Sequence, residues 1–105
     1  MTSGIHVVTP PAYDWVLIIA FYAAVRYVNA YHYERLGQTP SDHQARNGFV
    51  TLVRELDPIE NAYIRLYSRT RIVRYEVVNS AVNQPAAQAA ITIAERVRDT
   101  VRSLL

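Results

Sequence analysis

Apolar and charged positions alternate at helical spacing along most of the chain, and the pattern is densest between Trp15 and Val25, an unbroken uncharged run. Pro10 and Pro11 precede it, and with Gly4 they mark residues 1–11 as an irregular N-terminal arm that ends where a helix is free to start. Helix one is expected from about Ala12 to Arg35. Val16, Leu17, Ile18, Ile19, Phe21, Tyr22, Ala23, Ala24 and Val25 make its centre apolar nearly all round, more than a helix at the edge of a monomer can hide. It must sit centrally or in an interface. Gly37 and Pro40 end it in a loop from Leu36 to Ser41.

Helix two has two overlapping start signals, Thr39 before Pro40 with Asp42 three residues on, and Ser41 with Gln44 three residues on. Its apolar stripe is Ala45, Phe49, Leu52, Val53 and Leu56, ending near Asp57. Asp57 as cap, Pro58 in the first turn and Glu60 reaching back then open helix three, whose inward face is Ile59, Ala62, Tyr63, Leu66 and Tyr67. Between Ile72 and Gln84 the β-branched Val73, Val77, Val78 and Val82 and the turn-forming Asn79, Ser80 and Asn83 leave the end of helix three open, at Val78 or earlier. Pro85 opens a last helix, with Ala87, Ala90, Ile91, Ala94, Val97, Val101 and Leu104 inward and Gln88, Glu95, Arg98, Asp99 and Arg102 outward. Short connections then give an all-α fold, a four-helix antiparallel bundle with one longer crossover, occupying residues 12–105 as a single domain.

Composition supports a folded domain. Half of the 105 residues are hydrophobic, the net charge is +2, and no block of like charges marks a disordered tail. The Trp15–Val25 run, bracketed by Asp14 and Arg26, falls short of the roughly 20 residues that a bilayer span needs, and no basic residue precedes it as a secretory signal requires. The expectation is a cytoplasmic protein without a membrane association. The absence of cysteine removes disulfides, thiol nucleophiles and thiolate metal sites. His6, His32 and His43 are too far apart in sequence for the close pairing a metal site shows, so neither a metal nor another cofactor is expected.

Candidate chemistry lies in the basic residues. All eleven are arginine, whose planar guanidinium pairs with phosphate bidentately, and eight tyrosines accompany them. The densest cluster is Arg65, Arg69, Arg71 and Arg74 at the end of helix three, with Arg65 and Arg69 one turn apart on one face. A C-terminal position also suits the helix dipole without any ligand. His43 and Arg46, three apart, share a face with Asn47 and Arg54, an arrangement that a general base beside a phosphate clamp would use and that an exposed first-turn histidine would equally produce. The tyrosine pairs Tyr27 with Tyr31 and Tyr63 with Tyr67 fit packing better than base stacking. No Ser-His-Asp order, glycine-rich phosphate loop or carboxylate pair is present.

Asp14-Trp15 opening a long helix, Phe21-Tyr22-Ala23-Ala24 within it, His43-x-x-Arg46-Asn47, and Leu66-Tyr67-Ser68-Arg69 followed by Arg74-Tyr75 together resemble the HEPN superfamily, over about Asp14 to Leu105. The resemblance implies a helical bundle that dimerises and that belongs to an RNA-cutting toxin or defence system, or to a noncatalytic relative of one. The family's ribonuclease motif is an arginine near the end of the third helix followed four to six residues later by histidine. Arg69 matches the arginine and Thr70 the polar residue after it, but Arg74 and Tyr75 stand where the histidine belongs. A phenol with a pKa near 10 is a poor base near neutrality. The expectation is therefore a homodimeric module that binds RNA or nucleotide phosphate through Arg69 and its neighbours without efficient cleavage. Its rivals are an active endoribonuclease that recruits His43, and a structural domain that binds a cognate protein partner.

Overall fold

The computed structural model describes residues 12–75 and 82–105, the side chains of residues 12, 74 and 75 excepted. The described residues form helices α1 (Ala12–Leu36), α2 (His43–Leu52), α3 (Asp57–Tyr75) and α4 (Gln84–Leu104), with a 3-10 turn at Arg54–Leu56. The fold is an all-α, four-helix bundle, as the periodicity implies.

Helix α1 is the axis on which the others pack. Leu17, Phe21, Ala24 and Val28 are all but inaccessible, and so are Val97 and Val101 of α4 and Ile59, Tyr63 and Leu66 of α3. Contacts fix the directions. Phe21 meets Tyr63 and Tyr67, and Leu17 lies with Leu66 and Arg69 nearer the C-terminal end of α3, so α3 runs antiparallel to α1. The Val82 N–H donates to Asp14 Oδ1 at 3.1 Å, and Arg102 sits over the Tyr27 ring. Both contacts give α4 the same direction as α1. Between α3 and α4, the Arg96 guanidinium donates to the Pro58 carbonyl at 3.0 Å, which ties the late part of one to the first turn of the other.

Gly37 ends α1 with φ +74, where its N–H closes on the Tyr33 carbonyl at 2.7 Å; a side chain there would strain the backbone. The loop then folds back, held by the buried His32, whose Nδ1–H donates to the Gln38 carbonyl while its ring lies on Phe49. As a result α2 begins beside the middle of α1 and runs in the same sense, not antiparallel to it as the short connection implied: His43 reaches Phe21, Arg46 reaches Asn29, and Phe49 reaches Tyr31.

Three boundaries differ from the sequence expectation. The cap of α2 is neither Thr39 nor Ser41 but Asp42, whose extended backbone lets its carboxylate accept from the Ala45 N–H at 2.8 Å. Helix α2 also stops at Leu52, because Val53 turns extended and a 3-10 turn follows. Leu52 and Ala45 are thereby exposed rather than inward, and only Phe49 and Leu56 of the expected stripe are fully buried. Asp57 closes that turn in the helical region instead of capping α3 from outside. In α4 the cap is Asn83, accepting from Ala86 N–H at 2.9 Å with Pro85 in the first turn. Ala87, Ala90, Val97 and Val101 are buried as expected, whereas Ile91 and Ala94 are half-buried.

Leu17 and Ile19 lie two residues apart on one helix, yet their exposures are 1% and 65%. Leu17→Ala is expected to destabilise the fold by about 2–5 kcal/mol through the cavity it leaves, and Ile19→Ala by less than about 0.5 kcal/mol in the monomer. Urea denaturation of the two variants at low protein concentration measures the difference.

Candidate functional site

Two groups of polar side chains emerge, on opposite sides of α3. The first surrounds Arg46. Its Nε donates to Asn29 Oδ1 and its Nη1 to His43 Nδ1, each at 2.8 Å. Arg46 is only 8% exposed and makes no ion pair among the described residues. Burial of an unpaired charge costs several kcal/mol unless neutral dipoles or a counterion compensate, and Asn29 and His43 supply the dipoles. The His43 ring packs on Phe21 and Tyr67, with centroids 5.7 and 5.5 Å away. On the other side stands Tyr63. Burial pushes its phenol up to about 12 against the opposing pull of the Arg46 guanidinium, and its hydroxyl has no hydrogen-bond partner among the described residues.

The protonation pattern of His43 follows from its neighbour. A guanidinium can only donate, so His43 Nδ1 must accept, and the ring proton sits on Nε2. The lone pair that a general base would use is already engaged by a cation. His43 in this state is a donor.

The second group is Arg65 and Arg69. They line a hollow of about 90 Å³ whose floor is Leu17, Leu66, Ala90 and Ile93. Both are exposed, and neither makes a hydrogen bond or ion pair among the described residues. Tyr63 and Tyr67 precede them by two positions each, about 200° around the helix, so the Arg65–Arg69 hollow faces away from His43. Within the chain, His43 and Arg69 are not brought together.

The remaining candidates are dispersed. Arg71 lies about 200° around α3 from Arg69 and is exposed. Arg54 is exposed beyond the end of α2 and does not share the His43–Arg46 face, because the helix stops at Leu52. Asn47 stays close by, with a buried Oδ1 that has no partner among the described residues. Thr70, matched above to the polar position after the motif arginine, is 2% exposed and donates its hydroxyl to the Leu66 carbonyl at 2.8 Å. It is occupied with its own helix and offers nothing to a ligand. The side chains of Arg74 and Tyr75, and the whole of His6, lie outside the described residues. Among the described residues no group of His, Asp and Glu is placed to hold a metal ion, and no helix is long and apolar enough to cross a membrane.

Sequence reasoning missed Asn29 as a partner of Arg46 and Tyr63 as its buried neighbour. Asn29 carried at most a weak signal, an amide between Val28 and Ala30 in the mixed second half of α1; Tyr63 carried none, since its position is equally that of a core aromatic. Compared with family models, curated proteins and solved structures, the chain has no match.

The raised Tyr63 pKa makes stability depend on pH. The folded state holds the phenol proton above the ordinary value of 10, so this contribution is complete below pH 10 and is lost as pH rises from 10 to about 12. The expected loss is at most about 2–3 kcal/mol, from 1.36 kcal/mol per pKa unit. Tyr63→Phe should be less sensitive than the wild type across that window in urea denaturation.

Proposed function

We propose that the chain is a HEPN-like homodimeric module that binds RNA or nucleotide phosphate without cleaving it efficiently, possessing the arginine half of a ribonuclease site and not its base. One observation carries the reading: Arg65 and Arg69 are adjacent, exposed guanidinia with no partner among the described residues, set on the rim of an apolar hollow that no carboxylate lines. Two such cations fit neighbouring phosphates or the two oxygens of one. The state of His43 supports binding over cleavage, because the Nδ1 lone pair that a general base would use is committed to the Arg46 guanidinium. An RNA-cutting role would need His43 to release Arg46 first.

The dimer is supported by a separate face. Trp15 and Ile19 are 56% and 65% exposed, and Val16, Ile19, Ala20, Ala23, Ile91 and Ala94 line a wholly apolar hollow of about 300 Å³ between α1 and α4. Exposed apolar surface of this kind on a short bundle marks an interaction site. A second copy, presenting the same knobs and hollow about a two-fold axis, is the proposed occupant. The expected result in light scattering at micromolar concentration is a dimer mass, and Ile19→Arg is expected to give a monomer of unchanged helicity. A wild-type monomer would leave the face to a different protein.

RNA binding is expected to be weak and to fall as salt rises. Arg69→Ala should cost about 1–3 kcal/mol of affinity, the loss of a charge-assisted contact, and Arg65→Ala a similar amount. His43→Ala should leave a cleavage assay at its background level. Robust RNA cleavage by the wild type that vanishes in His43→Ala would overturn the binding-only reading, and no binding at low salt would leave a structural domain.

A further inference from the structure

Two exposed arginines one turn apart could stand on any helix face; what sets Arg65 and Arg69 apart is the hollow of about 90 Å³ between them and α4. Its origin lies in α4, which lines the gap with Ala86, Ala89 and Ala90, side chains too short to fill it. Leu17, Leu66 and Ile93 complete the floor, so the floor is hydrocarbon and the polar side chains that the described residues set around it are the two guanidinia. A free phosphate gains nothing from such a floor. Apolar surface left open stays in water at a cost and forgoes dispersion contacts, and a ligand with a compact uncharged body removes both losses. The ligand that uses both parts of the hollow therefore carries such a body beside an anionic group, as a nucleotide does in its base and its phosphate.

Size and hydrogen-bond polarity narrow the base. An apolar cavity of about 150 Å³ encloses a benzene ring, so an open hollow of about 90 Å³ admits the greater part of one six-membered ring and not the two fused rings of a purine. A guanidinium donates and never accepts, so the group that meets the rim has to be an acceptor. Cytosine, adenine and guanine each carry an exocyclic amino group, whereas uracil, with the hydrogen-bonding edge of thymine, carries carbonyls in those places. We propose that the Arg65–Arg69 hollow receives a uracil base of a single RNA strand, one guanidinium donating to a base carbonyl and the other to the adjoining phosphate. The strand has to be single, because only there can a base be splayed out of its stack. This rests on the reading of Arg65 and Arg69 as phosphate contacts and adds to it a choice of base.

Fluorescence anisotropy of the full chain at low salt, with labelled oligouridylate, oligocytidylate and oligoadenylate of equal length, tests this directly. Oligouridylate is expected to bind about tenfold more tightly than either of the others, which set an amine against a guanidinium or leave the base outside. Ala89→Leu fills the hollow and leaves every charge in place; Ala89 is exposed and leucine favours a helix, so wild-type helicity is expected of the variant. In it, oligouridylate should fall to the affinity of oligoadenylate. An Arg65→Ala/Arg69→Ala double variant is expected to lose the preference together with most of the binding. Equal affinity for the three strands, or a preference for adenylate, would overturn this inference while the phosphate reading stands, and so would a uridylate preference that survives Ala89→Leu. Absence of binding by all three strands overturns the phosphate reading and this inference with it.

Discussion

A helix that is apolar on every side has to be covered on every side, and α1 imposes that demand on the whole molecule. One neighbour covers about a third of a helix surface, so α3, α4 and α2 each take a share: Leu17 and Phe21 face α3, Ala24 and Val28 complete the interior, and Tyr31 meets Phe49 of α2. The two long neighbours cannot both follow α1 by tight turns. The chain answers with α3 antiparallel and α4 parallel to α1, the latter locked at its start by Asp14 and Val82. What three neighbours leave uncovered along α1 is a residual strip of Trp15, Ile19 and Tyr22, with Tyr13 before it and Tyr33 and Leu36 near the helix end. That residual strip is the reason an interface enters the proposed function at all.

The same demand accounts for the position of the polar centre. Because the loop after α1 folds back under the hold of His32, α2 starts at the level of Phe21 and its first turn crosses α1 where an amide, Asn29, interrupts the apolar surface. Arg46 is trapped between the two helices and α3. A buried cation loses several kcal/mol of hydration that an apolar side chain would not, although an apolar side chain would leave the Asn29 oxygen without its donor. Two neutral acceptors recover part of it. The arrangement is thus more expensive than packing alone requires.

Much of this was legible in the residues. Helical spacing alone gives α1, the buried face of α3 and most of that of α4, and the all-round apolarity of α1 gives its central place. The start and end of α2 were not legible, for a physical reason: Thr39, Ser41 and Asp42 are all competent caps, and the choice among them depends on the fold-back of the loop, a tertiary event. Val53 breaks the helix without glycine or proline to announce it. At the site, the pairing of His43 with Arg46 follows from their spacing, while Asn29 and Tyr63 come from other helices, and no local pattern could assign them. Arg65 and Arg69 share a face as their spacing requires; that they look away from His43 follows from the two-residue offset between them and Tyr63 and Tyr67.

That offset has a consequence for the chemistry. Acid–base cleavage of RNA needs a base with a free lone pair close to a cation that stabilises the developing charge. Here the exposed cations are on one side of α3, and the imidazole is on the other with its lone pair committed to a buried arginine. The two arginine settings also differ in how solvent treats them. Arg65 and Arg69, in water, act through a screened field that weakens with salt and discriminates little among phosphates. Arg46, among aromatic rings, is screened far less, so its hydrogen bonds to Asn29 and His43 hold a local arrangement that salt leaves largely untouched.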